Sequence, residues 1–68
     1  MKIRYFQDTD TLSIRLNDKP SLESEEIADD VVVDFDAEGK VVGIEIERAA
    51  AKVELQHFEM SGFQVLVT

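Results

Sequence analysis

The chain has no cysteine, one histidine and one proline in 68 residues. Without cysteine there is no disulfide framework, and with His57 as the lone imidazole the zinc patterns built from Cys and His are excluded too. A chain this short buries only about 60% of the surface its unfolded form exposes. The remaining support for so small a core is association between copies, and a homo-oligomer is expected. Long apolar runs are also missing. Lys2 and Arg4 interrupt the apolar stretch that a signal peptide needs, and no run is long enough to span a bilayer, which predicts a cytoplasmic chain with no membrane partner. Positive charge is scarce, with seven Lys and Arg against fifteen Asp and Glu and a net charge of −8. Such a chain repels phosphate backbones and anionic lipid, and its scattered bases form no patch, so no nucleic-acid binding is expected.

Catalytic signatures are absent as well. Ser13, Ser21, Ser24 and Ser61 have no nucleophile-elbow sequence around them, and His57 between Gln56 and Phe58 reads as a helix-surface or partly packed side chain. Carboxylates are numerous enough for glycoside hydrolysis, but a small sheet offers no walls for a substrate cleft. No phosphate loop or cofactor motif is present. The expectation is a protein that is not an enzyme and takes no cofactor.

What is there is acid threaded through β-branched alternation. Residues 21–47 hold ten of the fifteen acidic residues and a single base, Lys40. Ile3 and Tyr5 alternate with Lys2 and Arg4, and Leu12, Ile14 and Leu16 with Thr11, Ser13 and Arg15, the period of half-buried strands joined by a turn at Gln7–Asp10. The segment Asn17–Ser21, with Pro20, breaks the pattern. A second hairpin follows, with Val31, Val33 and Phe35 on one face of its first strand and Val42, Ile44 and Ile46 on one face of its second. These sets share a face if Phe35 pairs with Val42 and Val33 with Ile44, which requires an even-length loop around Gly39. Leu22–Ile27 is expected to be an extended edge segment. After Glu47 the period of two is lost and three alanines favour a helix over Ala49 to Phe58, ended by Gly62, with strand-like alternation resuming over Phe63–Val67. The prediction is one α+β domain over 1–68: a small antiparallel sheet of two hairpins, a short C-terminal helix and a possible further strand. Tyr5, Leu12, Ile14, Val33, Phe35, Val42, Ile44 and Ile46 should carry the core.

The spacing of Tyr5, Asp10, Leu12, Ile14 and Leu16, then Glu25-Glu26, then Val33-Asp34-Phe35-Asp36 with Gly39, Val42 and Gly43-Ile44-Glu45-Ile46, resembles the short prokaryotic proteins grouped as domain of unknown function 2283. The likeness covers roughly residues 1–48 and its motifs bear mostly on the fold. What the resemblance implies about function is a small acidic protein similar in size and charge to antitoxin-like partners.

Two constellations could carry chemistry. Asp34 through Glu45 fits the spacing of an EF-hand calcium loop, with acids at the first, third and fifth positions, glycine at the sixth and glutamate at the twelfth. That motif needs a helix on each side, and Val31-Val32-Val33 makes a poor one, so a strand turn is the better reading. Within the hairpin register, Asp34 faces Gly43 and lies diagonal to Glu45, and Asp36 and Glu47 extend the row into an acidic solvent face. Asp34, Asp36, Glu45 and Glu47 are therefore the candidate binding residues, for a basic protein partner first and for a divalent ion as the alternative; no metal site is assigned. Lys2, Arg4 and Arg15, on the corresponding polar face of the first hairpin, could instead neutralise these acids within the chain. Phe58, Met60, Phe63 and Leu66 make an apolar C-terminal segment suited to covering the sheet or a second copy.

Overall fold

The computed structural model describes residues 1–62. Five strands, β1 (Lys2–Phe6), β2 (Thr11–Arg15), β3 (Glu23–Ala28), β4 (Val31–Phe35) and β5 (Val41–Ile46), precede a one-turn helix, α1 (Ala49–Lys52). They form one antiparallel sheet in the order β1-β2-β5-β4-β3. The first hairpin is as expected, with Ile3 opposite Ile14 and Tyr5 opposite Leu12. The second becomes a three-stranded meander, because the acidic segment after Leu22 pairs along β4. β5 then closes against β2, so that one sheet unites both halves of the chain and, among the described strands, leaves β1 and β3 as its edges.

The registers line residues up in rows across the sheet. One face carries Ile3, Ile14, Ile44, Val33 and, at the edge, Glu25; a parallel row runs Tyr5, Leu12, Ile46 and Val31. The other face carries Arg4, Ser13, Glu45, Val32 and Glu26, beside Lys2, Arg15, Gly43, Asp34 and Ser24. Val33 pairs with Ile44 as expected, but Phe35 pairs with Val41 rather than Val42. The reason is the turn. Asp36 begins a five-residue, odd-length connection, Asp36–Lys40, and a bulge at Val42 absorbs the odd residue so that Ile44 still faces Val33. Asp36 Oδ1 accepts the amides of Glu38 (2.8 Å) and Lys40 (2.9 Å), its carbonyl accepts the Gly39 amide at 3.0 Å, and Gly39 takes φ 78°.

Among the described residues only Val33, Val42 and Ala49 are buried apolar side chains. Leu12, Ile14, Phe35, Ile44 and Ile46, expected in the core, are half-buried, and Tyr5 is 41% exposed. A single sheet layer with one turn of helix against it cannot enclose them. The helix itself is four residues long, not ten as expected over Ala49 to Phe58, and Val53 leaves it with extended dihedrals. Three alanines are too few to extend a helix past its nucleus, and Arg48 before them offers no side-chain cap. The cap comes from elsewhere: Asp10, in the β1–β2 turn at φ 54°, accepts the Ala49 amide on its carbonyl (2.9 Å) and the Ala50 amide on Oδ1 (3.0 Å). Tyr5 Oη donates to the same Oδ1 at 2.6 Å. Tyr5 thus pins the turn that pins the helix. Gly62 does not end this helix, and the expected strand over Phe63–Val67 lies outside the described residues.

Candidate interaction surface

The four acids expected on one solvent face part company in the fold. Asp36 is only 7% exposed and is occupied by the turn amides, which hold its carboxyl below the usual range, the Lys40 amide most strongly. Its stabilisation is present above about pH 3.8 and is lost as the pH falls through the lowered folded value. Replacing Asp36 by Ala should therefore reduce the melting temperature near neutral pH and remove part of the parent's loss of stability below pH 3.8, read by thermal melts across the acid range.

Asp34 is 6% exposed, again against the expectation of a solvent-facing side chain. It lies over Gly43, whose missing side chain makes the room: a Cβ there would stand 3.3 Å from Asp34 Oδ2 and 3.4 Å from the Ile14 carbonyl oxygen. Ser24 Oγ, reaching over from β3, donates to Asp34 Oδ1 at 2.6 Å. Glu45, half-buried on the adjacent strand, shares a hydrogen bond with Asp34, and this raises the Glu45 carboxyl above its ordinary value; partial burial and the negative charges of Asp34 and Glu47 push the same way, and Arg15 opposes them. Glu47 itself is exposed beyond the end of β5. The expected neutralisation by Lys2, Arg4 and Arg15 is not formed: none of them makes an ion pair among the described residues. Arg15 Nη2 instead donates to the Lys19 carbonyl at 2.9 Å, holding the Asn17–Ser21 crossing, and Arg4 stands 5.3 Å from the Phe6 ring.

A raised carboxyl favours the protonated native state, so its contribution is complete below Glu45's ordinary value of 4.5 and is lost as the pH rises through the folded value. Glu45→Gln should therefore be the more stable protein at neutral pH, by roughly 0.5 kcal/mol once solvent screening is allowed for. Its melting temperature should also vary less with pH from 4.5 upward, and Asp34→Asn should bring the Glu45 titration, followed by NMR, back toward 4.5.

The remaining charge clusters are structural or peripheral. Arg48, at φ 49°, donates from Nε to Asp30 Oδ2 at 2.6 Å and also pairs with that carboxylate through Nη2, while Lys52 Nζ lies 3.4 Å away. Among the described residues no three carboxylate or imidazole groups converge as metal ligands would. A groove of about 450 Å³ lies between the C-terminal segment and the β1–β2 half of the sheet, lined by Ile3, Tyr5, Leu12, Ile14, Leu55 and Phe58 among others.

Among the described residues, three exposed acids share one strand, β3. All six of its residues are exposed, and Glu23, Glu25 and Glu26 project from it. Glu23 and Glu25 stand on the apolar side of the sheet, opposite Phe35 and Val33, and Glu26 on the polar side, opposite Val32. A bulge at Ile27, 61% exposed, ends the regular register. These glutamates were not among the expected binding residues; the available signal was their density in a stretch whose pairing partner could not be read from the sequence.

The family model described as "Protein of unknown function (DUF2283)" matches residues 2–49. The chain belongs to the DUF2283 family. The match takes in all five strands and stops at the first residue of α1, so the DUF2283 unit is the sheet itself, with Asp10, Asp34, Gly43 and the β3 glutamates inside it. No curated protein and no solved structure matches the chain. No helix of the described residues is long and apolar enough to cross a membrane.

Proposed function

We propose that this DUF2283 protein is a small acidic interaction module of the cytoplasm, not an enzyme, whose β3 edge accepts an extended basic segment of a partner protein by strand addition. An antitoxin-like role, in which the partner is a basic protein held by this edge, is the most concrete form of the reading. The observation that carries it is the edge strand Glu23–Ala28: exposed along its whole length, with three glutamates and no described strand on its outer side. An open edge offers main-chain hydrogen bonds to any extended chain. The glutamates choose among the candidates, because they repel an acidic strand or a second β3 and favour one carrying Lys or Arg. The chain's net charge of −8 adds a long-range attraction for the same class of partner.

A fluorescently labelled peptide of alternating lysine and valine tests the reading by anisotropy. The parent should bind it, about tenfold more weakly when the salt is raised enough to shorten the Debye length severalfold. The triple variant Glu23→Gln/Glu25→Gln/Glu26→Gln should lose most of the affinity, whereas Glu45→Gln should keep it. Equal binding by parent and triple variant would discard β3 as the site.

A further inference from the structure

We propose that copies of this chain associate head to tail through their two sheet edges, β1 of one copy lying antiparallel to β3 of the next, with Lys2 opposite Glu25 and Arg4 opposite Glu23. The inference rests on β3 being a strand-accepting edge and names one occupant for it. Both edge strands are exposed over every residue. They carry opposite charge: β1 has Lys2 and Arg4 and no acid, and β3 has Glu23, Glu25 and Glu26 and no base.

The spacing matches as well as the sign. Lys2 and Arg4 lie two residues apart on one face of β1, and Glu23 and Glu25 two residues apart on one face of β3. In an antiparallel ladder, directly opposed residues share a face, so one register aligns both pairs at once. Among the described residues none of these four side chains has an ion-pair partner within its own chain. The symmetric alternatives are disfavoured by the same charges, since β1 against β1 sets Lys and Arg beside Lys and Arg, and β3 against β3 sets glutamate beside glutamate.

A contact between two different edges is heterologous and leaves a further edge free on each copy unless its rotation closes a ring. The antiparallel pairing turns each copy over relative to the last, and the assembly is an open series whose mean size grows with concentration, instead of a fixed dimer. It also occupies the edge that a basic partner would use, so self-association and partner binding compete.

Sedimentation velocity at low and high salt tests the proposal with two charge-reversed variants, Lys2→Glu/Arg4→Glu and Glu23→Lys/Glu25→Lys, each first shown by circular dichroism and thermal melting to be folded. The parent should show a sedimentation coefficient that rises with concentration at low salt and falls to that of the 7.7 kDa monomer at high salt. Each variant alone carries like-charged edges and should stay monomeric. Their equimolar mixture restores complementary edges and should associate again. A parent that is monomeric at every concentration in low salt overturns the proposal, as does a closed dimer that both variants retain. Binding of the lysine–valine peptide by a parent that stays monomeric would leave the β3 reading standing and remove the head-to-tail pairing alone. Failure of both would remove both.

Discussion

Val33→Asp and Ile44→Asp should each leave the protein unfolded in buffer at room temperature, while Val32→Thr should fold with its stability nearly unchanged. Val33 is 6% exposed and sits in the middle of the apolar row, between Ile44 and Glu25. A carboxylate placed there would be desolvated with no cation opposite and would face Glu25, a like charge, across the β3–β4 ladder. Ile44 is flanked by Ile14 and Val33 and offers an acid no partner either. Uncompensated burial of a charge costs several kcal/mol, and a domain of this size has in total roughly 3–10 kcal/mol to lose. Val32 points to the other face, between Glu45 and Glu26, where a hydroxyl in place of a methyl should change stability by no more than about 0.5 kcal/mol. Far-UV circular dichroism and urea unfolding of the three variants read the result. Similar tolerance at positions 32 and 33 would mean that the two faces have been assigned the wrong way round.

The second large effect is expected at Gly43, through space and not conformational freedom. Gly43→Val should destabilise the protein by about 1–3 kcal/mol, and Gly43→Ala by clearly less. Its Cβ would meet Asp34 Oδ2 at 3.3 Å, the Ile14 carbonyl oxygen at 3.4 Å and Arg15 Cδ at 3.6 Å. The carbonyl belongs to a paired strand and cannot move, and Asp34 is held by Ser24. An added methyl needs only small adjustments, whereas the two γ-carbons of valine must displace the Asp34 carboxylate. That displacement has its own readout. The Asp34–Glu45 hydrogen bond would be lost with it, so the Glu45 titration in a still-folded Gly43→Val protein should return toward 4.5. Urea unfolding that shows no difference between Gly43→Val and the parent would mean that the tight approach of Asp34 to the β5 backbone is not needed.

Much of this fold was legible in the chain because strand alternation is a local signal. Ile3 and Tyr5 against Leu12 and Ile14, and Val33 against Ile44, follow from a period of two and a turn between them, and both pairings are present. The even loop that the alternation implies does not form because Asp36 folds back onto the amides of Glu38 and Lys40, and a bulge at Val42 compensates; neither leaves a mark in the hydrophobic pattern. The helix is shorter than its propensity implies because three alanines cannot carry it past its nucleus, and its start is fixed by the Asp10 cap, 40 residues away from Ala50, which propensity does not register. The candidate site failed where it depended on neighbours. Asp34, Asp36, Glu45 and Glu47 alternate as an exposed row would, and only Ser24 on β3, Gly43 on β5 and the turn amides decide that the first two are buried and satisfied.

The sequence by itself determined that this is a cysteine-free, acidic, mostly antiparallel sheet, and which residues of β1, β2 and β4 share the apolar face, because charge, composition and side-chain alternation are properties of the chain taken one segment at a time. An edge position for Leu22–Ile27 follows from the sequence, but only the tertiary structure decided that β1 is the opposite edge, what each edge pairs with and which charges are left free. β4 lies between β3 and β5, where Ser24, Gly43 and the turn amides cover Asp34 and Asp36, while among the described strands β3 is left outermost with its glutamates and β1 with its bases. Strand order is set by contacts between residues far apart in the chain, and an acid buried over a glycine has the same local sequence pattern as one that meets water.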